Sequence, residues 1–353
     1  MKLSNIIPKL KRLRSTPEEV DTLKAELELA RSQILNLSKQ NDLILDRFYR
    51  LNEATNLLFY RDFLSKRTSL KDFHPLVSII IPAYNASKYL SEAINCALDQ
   101  SYDNIEIIVV NDGSNDNGKT EKVALSYKKK IRYYKKKNGG VSSALNYGIK
   151  RMNGDYFVWL SHDDLITRDH VENLVHWVSY KEAKYEIPFT SFYLVDSKQR
   201  YMYDGSRNAQ LFFSDFKLSI ESPDSSLLLG EINGGSVLIP KEAFETIGLF
   251  DETLRITQER DLWNRLSAKY HFVCIPFNTA FIRIHSEQVS SKKALVEKET
   301  TNKVLEILDG LSQKRIAKSF IDKAWLLLTL QRFYSNNGRD ALAKEIKKRI
   351  DRL

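Results

Sequence analysis

Cysteine and long apolar runs are both scarce in this chain of 353 residues. The two cysteines, Cys96 and Cys274, lie far apart and form no C-x-x-C or Cys/His ligand pattern, which argues against a disulfide framework or a zinc site. No stretch approaches the roughly 20 apolar residues of a membrane-spanning helix, and the amino terminus lacks the apolar core of a signal peptide. We therefore expect a cytoplasmic protein.

Acidic residues are fewer than basic ones, 45 against 54, which leaves a formal net charge of +9. The cations crowd both ends rather than alternating with aromatic residues on one face, so we expect no nucleic-acid partner. Apolar residues lie among the cations of residues 1–14 and repeat at near-helical spacing among those of 340–353, and this pattern predicts peripheral contact with an anionic membrane. The alternative is a last helix that packs its apolar face on the protein.

A heptad pattern runs from Val20 to Leu58, with β-branched residues favoured at one apolar position and leucine at the other. Together with a single Asn41 in the seam, it predicts a parallel coiled coil and hence a homodimer. The alternative is a long helix folded back on the same chain. We assign residues 1–74 to a basic amino terminus and this helix.

Short β-branched runs alternate with helical patterns between residues 75 and 290. They predict a mostly parallel sheet with helices on both faces, whose ligands bind beyond the carboxyl ends of the strands. A further strand near 237–239, helices from Lys241 and about Glu259, and a strand near 272–275 complete this domain. Residues 291–353 read as helices only. The first four predicted strands are 77–81, 105–110, 131–134 and 156–160.

Polar segments follow these strands where parallel strands would bring them together. Asp112 can accept hydrogen bonds from a base or ribose, although the same residues also suit an ordinary turn. The glycines and hydroxyls of 138–143 open a helix, as at many anion sites, or simply form a solvated loop and cap. Asp163 and Asp164 would repel each other unless an ion such as Mg²⁺ or Mn²⁺ compensates, and such an ion can bridge to a diphosphate.

In this order and spacing, the segments 77–85, 111–114, 138–148 and 161–164 resemble glycosyltransferase family 2 over roughly residues 76–290. The resemblance implies an α/β fold of the Rossmann-like GT-A type, flanked here by the coiled coil and the carboxy-terminal helices. It also implies a UDP- or dTDP-sugar donor, a divalent cation, and inversion at the anomeric carbon. The acceptor would be a hydroxyl of a glycan or lipid-linked saccharide in surface polysaccharide synthesis.

The resemblance also implies roles for particular residues. Asp163 matches the last carboxylate of the D-x-D motif and would bind the metal, while Ser161 stands where many members carry the first Asp. His285 would complete the metal shell or contact the leaving diphosphate, and the alternative is a structural hydrogen bond. Leu145 replaces an arginine that contacts the diphosphate in many relatives, and the candidates to substitute for it are Lys135, Lys137 and Arg283. The implied donor-binding residues are Pro82, Ala83, Tyr84, Asn85, Asp112, Asn138, Gly140, Ser143, Ser161, His162 and Asp163.

Glu259 occupies the family position of the catalytic base, which must take the proton of the acceptor hydroxyl. Acidic residues also favour a helix start regardless of function, and Asp261 is the next candidate base. A scaffold or nucleic-acid-binding protein with a weakened GT-A domain stays open as an alternative to an enzyme, because of Ser161 and Leu145. The expected acceptor-side residues are Asp164, Gly234, Gly235, Arg260 and Asp261.

Overall fold

The computed structural model describes residues 73–181, 185–198, 201–204, 232–288, 291–312, 323–336 and 338–352, with the single positions 22, 25 and 316. By its contacts the chain divides into two units, residues 1–73 with 211–217 and residues 74–210 with 218–353. Of the predicted coiled coil only Thr22 and Ala25 are described, both helical and exposed, so that prediction lies outside the described residues. Every strand and helix with described bounds lies in the second unit.

A five-stranded sheet forms the centre of the second unit. Its strands are β1 Val77–Ala83, β2 Ile105–Asn111, β3 Arg132–Lys135, β4 Tyr156–Trp159 and β8 Ile239–Pro240. Their order is β3-β2-β1-β4-β8, with β1 to β4 parallel and β8 antiparallel to β4. All seven residues of β1 are buried, because helices cover both faces of the sheet, and this explains the continuous apolar run. The first four predicted strands are thereby confirmed.

Helices connect and cover these strands. They are α1 Leu90–Leu98, α2 Lys119–Ser126, α3 Val141–Ile149, α4 His170–Lys181, α5 Lys241–Ile247 and α6 Gln258–Leu266. The main core packs α3, α5 and α6 against β1, β2, β4 and β8, with Trp263 and Phe157 among its largest buried side chains. The helices predicted from Lys241 and about Glu259 are confirmed as α5 and α6.

A second sheet contains β5 Leu165–Ile166, β6 Glu186–Asp196, β7 Tyr201–Asp204 and β9 His271–Ile284. Its order is β5-β9-β6-β7, with β6 and β9 parallel to each other. The strand expected near 272–275 is only the start of a strand of 14 residues, and β6 was not predicted. The long β9 matters for the site because its end carries Arg283 to Asp163 and Asp164.

Helices α7 Lys293–Gly310, α8 Lys323–Asn336 and α9 Asp340–Ile350 form the described part of the carboxy-terminal region. Leu342 and Ile346 of α9 are buried, so the apolar face of this helix is used in packing. This corrects the expectation that α9 lays that face on a membrane, and its Arg349 also pairs with Asp309 at 2.8 Å. No helix among the described residues has both the length and the apolar character needed to cross a bilayer.

Candidate active site

The ends of β1 and β2 are joined by side-chain hydrogen bonds. Asn85 and Asn115 bond reciprocally, since each side-chain oxygen accepts a hydrogen bond from an N–H of the other residue, at 2.7 and 3.0 Å. The amide of Asn85 also donates to the Ser114 hydroxyl at 2.9 Å, and Asn85 adopts a left-handed backbone with φ 49°. Tyr84 is 42% exposed beside them, which leaves its ring open to a ligand.

Asp112 is buried, and both of its carboxylate oxygens are engaged within the protein. They accept hydrogen bonds from the Lys136 ammonium at 2.7 Å and from the amides of Gly139 and Gly140 at 2.7 to 3.1 Å. The side chain of Asn138 donates to the Asp112 carbonyl at 2.9 Å. Asp112 therefore shapes the loop 136–140, a role that its position in the sequence does not reveal.

Arg255 reaches the same loop from another part of the chain. Its guanidinium donates to the carbonyl of Gly139 at 2.8 Å, and a Cβ added at Gly140 would lie only 1.9 Å from its Nη1. Gly140 has φ 92° and precedes α3 directly, so the guanidinium lies near the unpaired amides of a helix start. Sequence reasoning missed Arg255, whose only signal was a basic residue four positions before Glu259.

The helix that follows, α3, holds the chain segment before α6. Leu145 is fully buried in the core, while Asn146 bonds the backbone of Phe250 in both directions and donates to Glu252 at 3.0 Å. The pKa of Glu252 is lowered, first by the hydrogen bond from Asn146 and further by one from Ser143. Ser143 thus lies at the start of α3 beside Glu252, one turn from Gly140.

Two of the three cations considered as substitutes at Leu145 are engaged elsewhere. Lys135 pairs with Glu121 at 2.7 Å, and Arg283 is buried and pairs with Glu92 at 2.6 Å. Lys137 is exposed. Arg255 is therefore the cation that the structure adds to this set.

The end of β9 brings His285 to Asp163. The imidazole Nε2 lies 3.0 Å from a carboxylate oxygen of Asp163, and the Gln288 amide lies 3.4 Å from the same oxygen. Burial acts to raise the pKa of Asp163, yet the charge of His162 and the hydrogen bond to His285 lower it below its usual value. The His162 ring itself lies 3.3 Å from the Pro82 carbonyl, so the ends of β1 and β4 also meet here.

Asp164, expected on the acceptor side, is engaged by neighbouring residues of the protein. It is buried and accepts the amide hydrogen of Arg283 at 2.9 Å, and Ser161 also hydrogen-bonds it. Burial, followed by the neighbouring charge of Asp163, raises the pKa of Asp164 well above its usual value. The two adjacent carboxylates thus differ in role, because only Asp163 meets His285.

The residues present fit a divalent cation that draws much of its shell from the substrate. Among the described residues no group of three or more His, Cys, Asp or Glu side chains could hold a metal ion. Asp163 and His285 offer one carboxylate oxygen and one imidazole nitrogen 3.0 Å apart. Mg²⁺ and Mn²⁺ commonly bind through one or two protein groups together with phosphate oxygens and water, so this small donor set suits them.

Glu259 lies in the first turn of α6 and is partly buried. It faces a cavity of about 100 Å³ that is also lined by Ile232, Thr257, Arg260 and Trp263, among others. Burial raises the pKa of Glu259 to about 7, and the charge of Glu299 adds to this while that of Arg260 opposes it. A carboxylate with this pKa changes its protonation near neutral pH, as a general base requires.

The neighbours of Glu259 on α6 contact the carboxy-terminal helices. Arg260 donates to the Tyr334 hydroxyl at 2.9 Å. Asp261 accepts from Arg265 at 2.8 Å and from Lys303 at 3.1 Å. Both residues were expected on the acceptor side; they also take part in the packing between α6, α7 and α8, and Arg260 lines the cavity of Glu259 as well.

Gly234 and Gly235 form a buried turn before β8. A Cβ added at Gly234 would lie 2.3 Å from the ring of Trp159, so the close approach of this ring explains the glycine. The amide of Gly235 donates to the Asn233 side chain at 2.8 Å. Trp263 of α6 bonds the Ile232 carbonyl at 3.1 Å, which connects this turn to the cavity at Glu259.

Comparison with known proteins identifies glycosyltransferases as relatives of this chain. Residues 78–247 match the model of the family described as Glycosyl transferase family 2. An uncharacterized glycosyltransferase of Rickettsia typhi is 43% identical over 244 residues, which cover 67% of this chain and 69% of the relative. One from Rickettsia bellii is 42% identical over 267 residues, covering 75% of this chain but only 38% of the relative, so the chain spans well under half of that protein.

Another relative is the minor teichoic acid biosynthesis protein GgaB of Bacillus subtilis. It is 34% identical over 218 residues, which cover 57% of this chain and 23% of GgaB. Among solved structures, S. aureus TarS 1–349 in complex with UDP-GlcNAc gives a TM-score of 0.56 at 15% identity, over 74% of this chain and 73% of TarS. The mannosyltransferase PcManGT of Pyrobaculum calidifontis, in complex with GDP-Man and Mn²⁺, gives a TM-score of 0.56 at 15% identity, over 86% of this chain and 84% of PcManGT. The predicted GT-A fold is confirmed.

Proposed function

The chain belongs to glycosyl transferase family 2, and we propose that it transfers a sugar from a nucleoside diphosphate to an acceptor hydroxyl with inversion at the anomeric carbon. The observation that carries this proposal is Glu259, a carboxylate that faces a cavity and has a pKa raised to about 7. An acceptor hydroxyl must lose its proton as it attacks, and a base is most useful when its pKa lies near the working pH.

The proposed reaction is a single displacement. The acceptor oxygen forms a bond to C1 of the sugar, its proton passes to the Glu259 carboxylate, and the bond from C1 to the diphosphate oxygen breaks with its electron pair leaving on the diphosphate. Asp163 and His285 would hold Mg²⁺ or Mn²⁺, which neutralises charge on the diphosphate when bound. Arg255 adds a fixed positive charge beside the loop 136–140, where Asp112 orders the backbone.

The donor site is proposed to lie between the ends of β1 and β2 and the loop 136–140. The exposed ring of Tyr84 offers a stacking surface for a base, and the glycines allow the backbone to approach a ribose or phosphate closely. The resemblance suggests a UDP- or dTDP-sugar, and the solved relatives bind UDP-GlcNAc or GDP-Man. The similarity to GgaB supports a glycan or lipid-linked acceptor of the cell envelope.

Assembly and location are part of the same proposal. We propose a homodimer through the heptads of residues 20–58, in a cytoplasmic protein. Because the apolar face of α9 is buried, membrane contact would rest on the basic residues 1–14, and an anionic lipid surface is their proposed partner.

A donor screen tests the proposal directly. Thermal shift with a panel of nucleotide sugars, each with and without Mn²⁺, identifies the donor, and release of the nucleoside diphosphate then measures turnover. We expect one class of nucleotide sugar to stabilise the protein in a metal-dependent way. If no nucleotide sugar binds or turns over while a polynucleotide binds tightly, the chain is a binding protein on a GT-A scaffold.

A further inference from the structure

A carboxylate from the carboxy-terminal region binds the backbone immediately before the helix of Glu259. Glu299 of α7 accepts hydrogen bonds from the amides of Arg255 at 3.1 Å, Ile256 at 2.7 Å and Thr257 at 2.7 Å, and from the Thr257 hydroxyl at 3.0 Å. Burial alone would raise the pKa of Glu299, yet these hydrogen bonds lower it below its usual value. The carboxylate is therefore ionised where it meets the three amides.

This contact lies at the start of α6. Thr257 is the residue that precedes the helix, and its side chain makes no capping hydrogen bond to it. Successive amides that point the same way form a concavity for an anion, and here Glu299 supplies the anion from more than 40 residues further along the chain. The residues that lead into α6 are thus bound by a side chain of α7.

The bound segment, residues 255–257, lies between two parts of the site. At one end the side chain of Arg255 reaches the loop of Gly139 and Gly140. At the other end Thr257 lines the same cavity as Glu259, and so does Thr300, which follows Glu299 on α7. A shift of residues 255–257 would move both the Arg255 guanidinium beside the loop 136–140 and the Glu259 carboxylate in the cavity.

Two further contacts join the same turn of α6 to the carboxy-terminal helices. Lys303 of α7 binds Asp261 at 3.1 Å, and Tyr334 of α8 accepts from Arg260 at 2.9 Å. Arg260 and Asp261 directly follow Glu259 in the sequence. The helices α7 and α8 therefore contact the chain on both sides of Glu259, through the backbone of residues 255–257 before it and through the side chains of Arg260 and Asp261 after it.

We propose that Glu299 is a positioning residue of the transferase site, which holds residues 255–257 so that Arg255 reaches the loop 136–140 of the proposed donor site and Glu259 faces the cavity where the acceptor would bind. The proposal rests on the proposed function, because it assigns those two side chains to donor and acceptor. In this proposal the carboxy-terminal helices α7 and α8 contribute to the geometry of the site.

The first test needs no substrate. Amide hydrogen exchange is compared in the full chain for the wild type, Glu299→Ala, and the control Glu297→Ala, which removes a carboxylate from the same helix that makes none of these hydrogen bonds. We expect exchange of the amides of residues 255–257 to become at least about tenfold faster in Glu299→Ala only, because their acceptor is gone. Equal exchange in all three proteins would overturn the proposal.

A second variant separates position from charge. Glu299→Gln keeps an accepting oxygen but removes the negative charge, which acts on Glu259 together with the charge of Arg260 from its own helix. We expect the pKa of Glu259, followed by ¹³C NMR of its carboxyl carbon, to fall in this variant, and the melting temperature to fall less than in Glu299→Ala. An unchanged titration of Glu259 would contradict the assignment, since a purely structural role moves stability and not this pKa.

The catalytic consequence is measured with UDP-GlcNAc and with GDP-mannose as probe donors, in the presence of Mn²⁺. Glu299→Ala should lower kcat about 100-fold, since misplacement of reacting groups by about 1 Å has effects of this size. The Gln variant should retain more activity and show its acidic limb at lower pH. If the wild type turns over neither donor nor any other nucleotide sugar, the proposed function fails, and exchange and titration still decide whether Glu299 positions this segment.

Discussion

Replacing Glu259 by glutamine tests the proposed base through stability as well as through rate. The pKa of Glu259 is raised from 4.5 to about 7 by burial, so ionising it opposes folding. The favourable effect of the protonated form is fully present below the unfolded pKa near 4.5 and is lost as the pH rises through 7. Glutamine has the same shape and stays neutral, so Glu259→Gln should become more stable than the wild type as the pH rises above about 4.5, and the difference should be complete above about 7.

The size of this effect follows from the shift. A rise of the pKa from 4.5 to about 7 corresponds to about 3 kcal/mol in the free energy of unfolding at high pH. Because the side chain is only partly buried, water screens some of this, and we expect roughly 1–3 kcal/mol at pH 8.5. For a domain of this size that is a rise in melting temperature of roughly 3–10 °C.

The assay is denaturant or thermal unfolding of both proteins at pH 4.5 and 8.5, with the exposed Glu242→Gln as a control for the loss of one surface carboxylate. The two curves of Glu259→Gln and wild type should coincide at pH 4.5 and separate at pH 8.5, while transfer falls about 10²–10⁴-fold. A variant that is no more stable at pH 8.5, or that keeps near-normal turnover, would refute the reasoning and move the base elsewhere.

Three further outcomes are expected. Asp163→Ala should abolish the metal-dependent part of nucleoside diphosphate binding, measured by calorimetry with and without Mn²⁺; equal affinities in the variant and the wild type would count against the Asp163 site. Arg255→Ala should weaken donor binding about 10–100-fold through loss of a charge-assisted hydrogen bond, whereas Arg168→Ala, a change at an exposed ion pair, should not. A chain beginning near Pro75 should be monomeric by light scattering if residues 20–58 form the dimer, and an unchanged mass would remove that role.

The central sheet was predictable because the residues of each strand show by themselves that they form a strand. A strand covered by helices on both faces needs apolar residues throughout, and β1 shows this in seven consecutive residues. In β6 and the later part of β9, buried and half-buried positions mix irregularly and prolines interrupt the chain, so no clear period is visible. Their pairing along 11 residues of β6 depends on contacts across about 85 positions, which no local pattern reports.

The residues of the site also fall into those that the sequence predicts and those that only the structure identifies. Asp163 follows a strand that the pattern predicts, Glu259 lies at the start of a predicted helix, and the resemblance assigns a role to each. Arg255 acts on Gly139 across 116 positions of the chain, and Glu299 binds the Thr257 amide across 42. Nothing in the neighbouring sequence distinguishes these two charged residues. Their roles become visible only when the fold brings together the loop 136–140, the start of α6 and α7.

Glu259 and Asp261 show why the fold is needed even where the motif is clear. Both are acidic residues in the first turn of one helix, and the sequence left either as the base. Asp261 binds Arg265 and Lys303, two cations that hold its carboxylate within the packing of α6 on α7. Glu259 has no such bridge among the described residues, faces a cavity, and lies under the influence of the Glu299 charge. Carboxylates with opposite surroundings take different tasks, and a base must be both reachable and easily protonated. These surroundings favour Glu259 as the base and leave Asp261 to fix the helix that carries it.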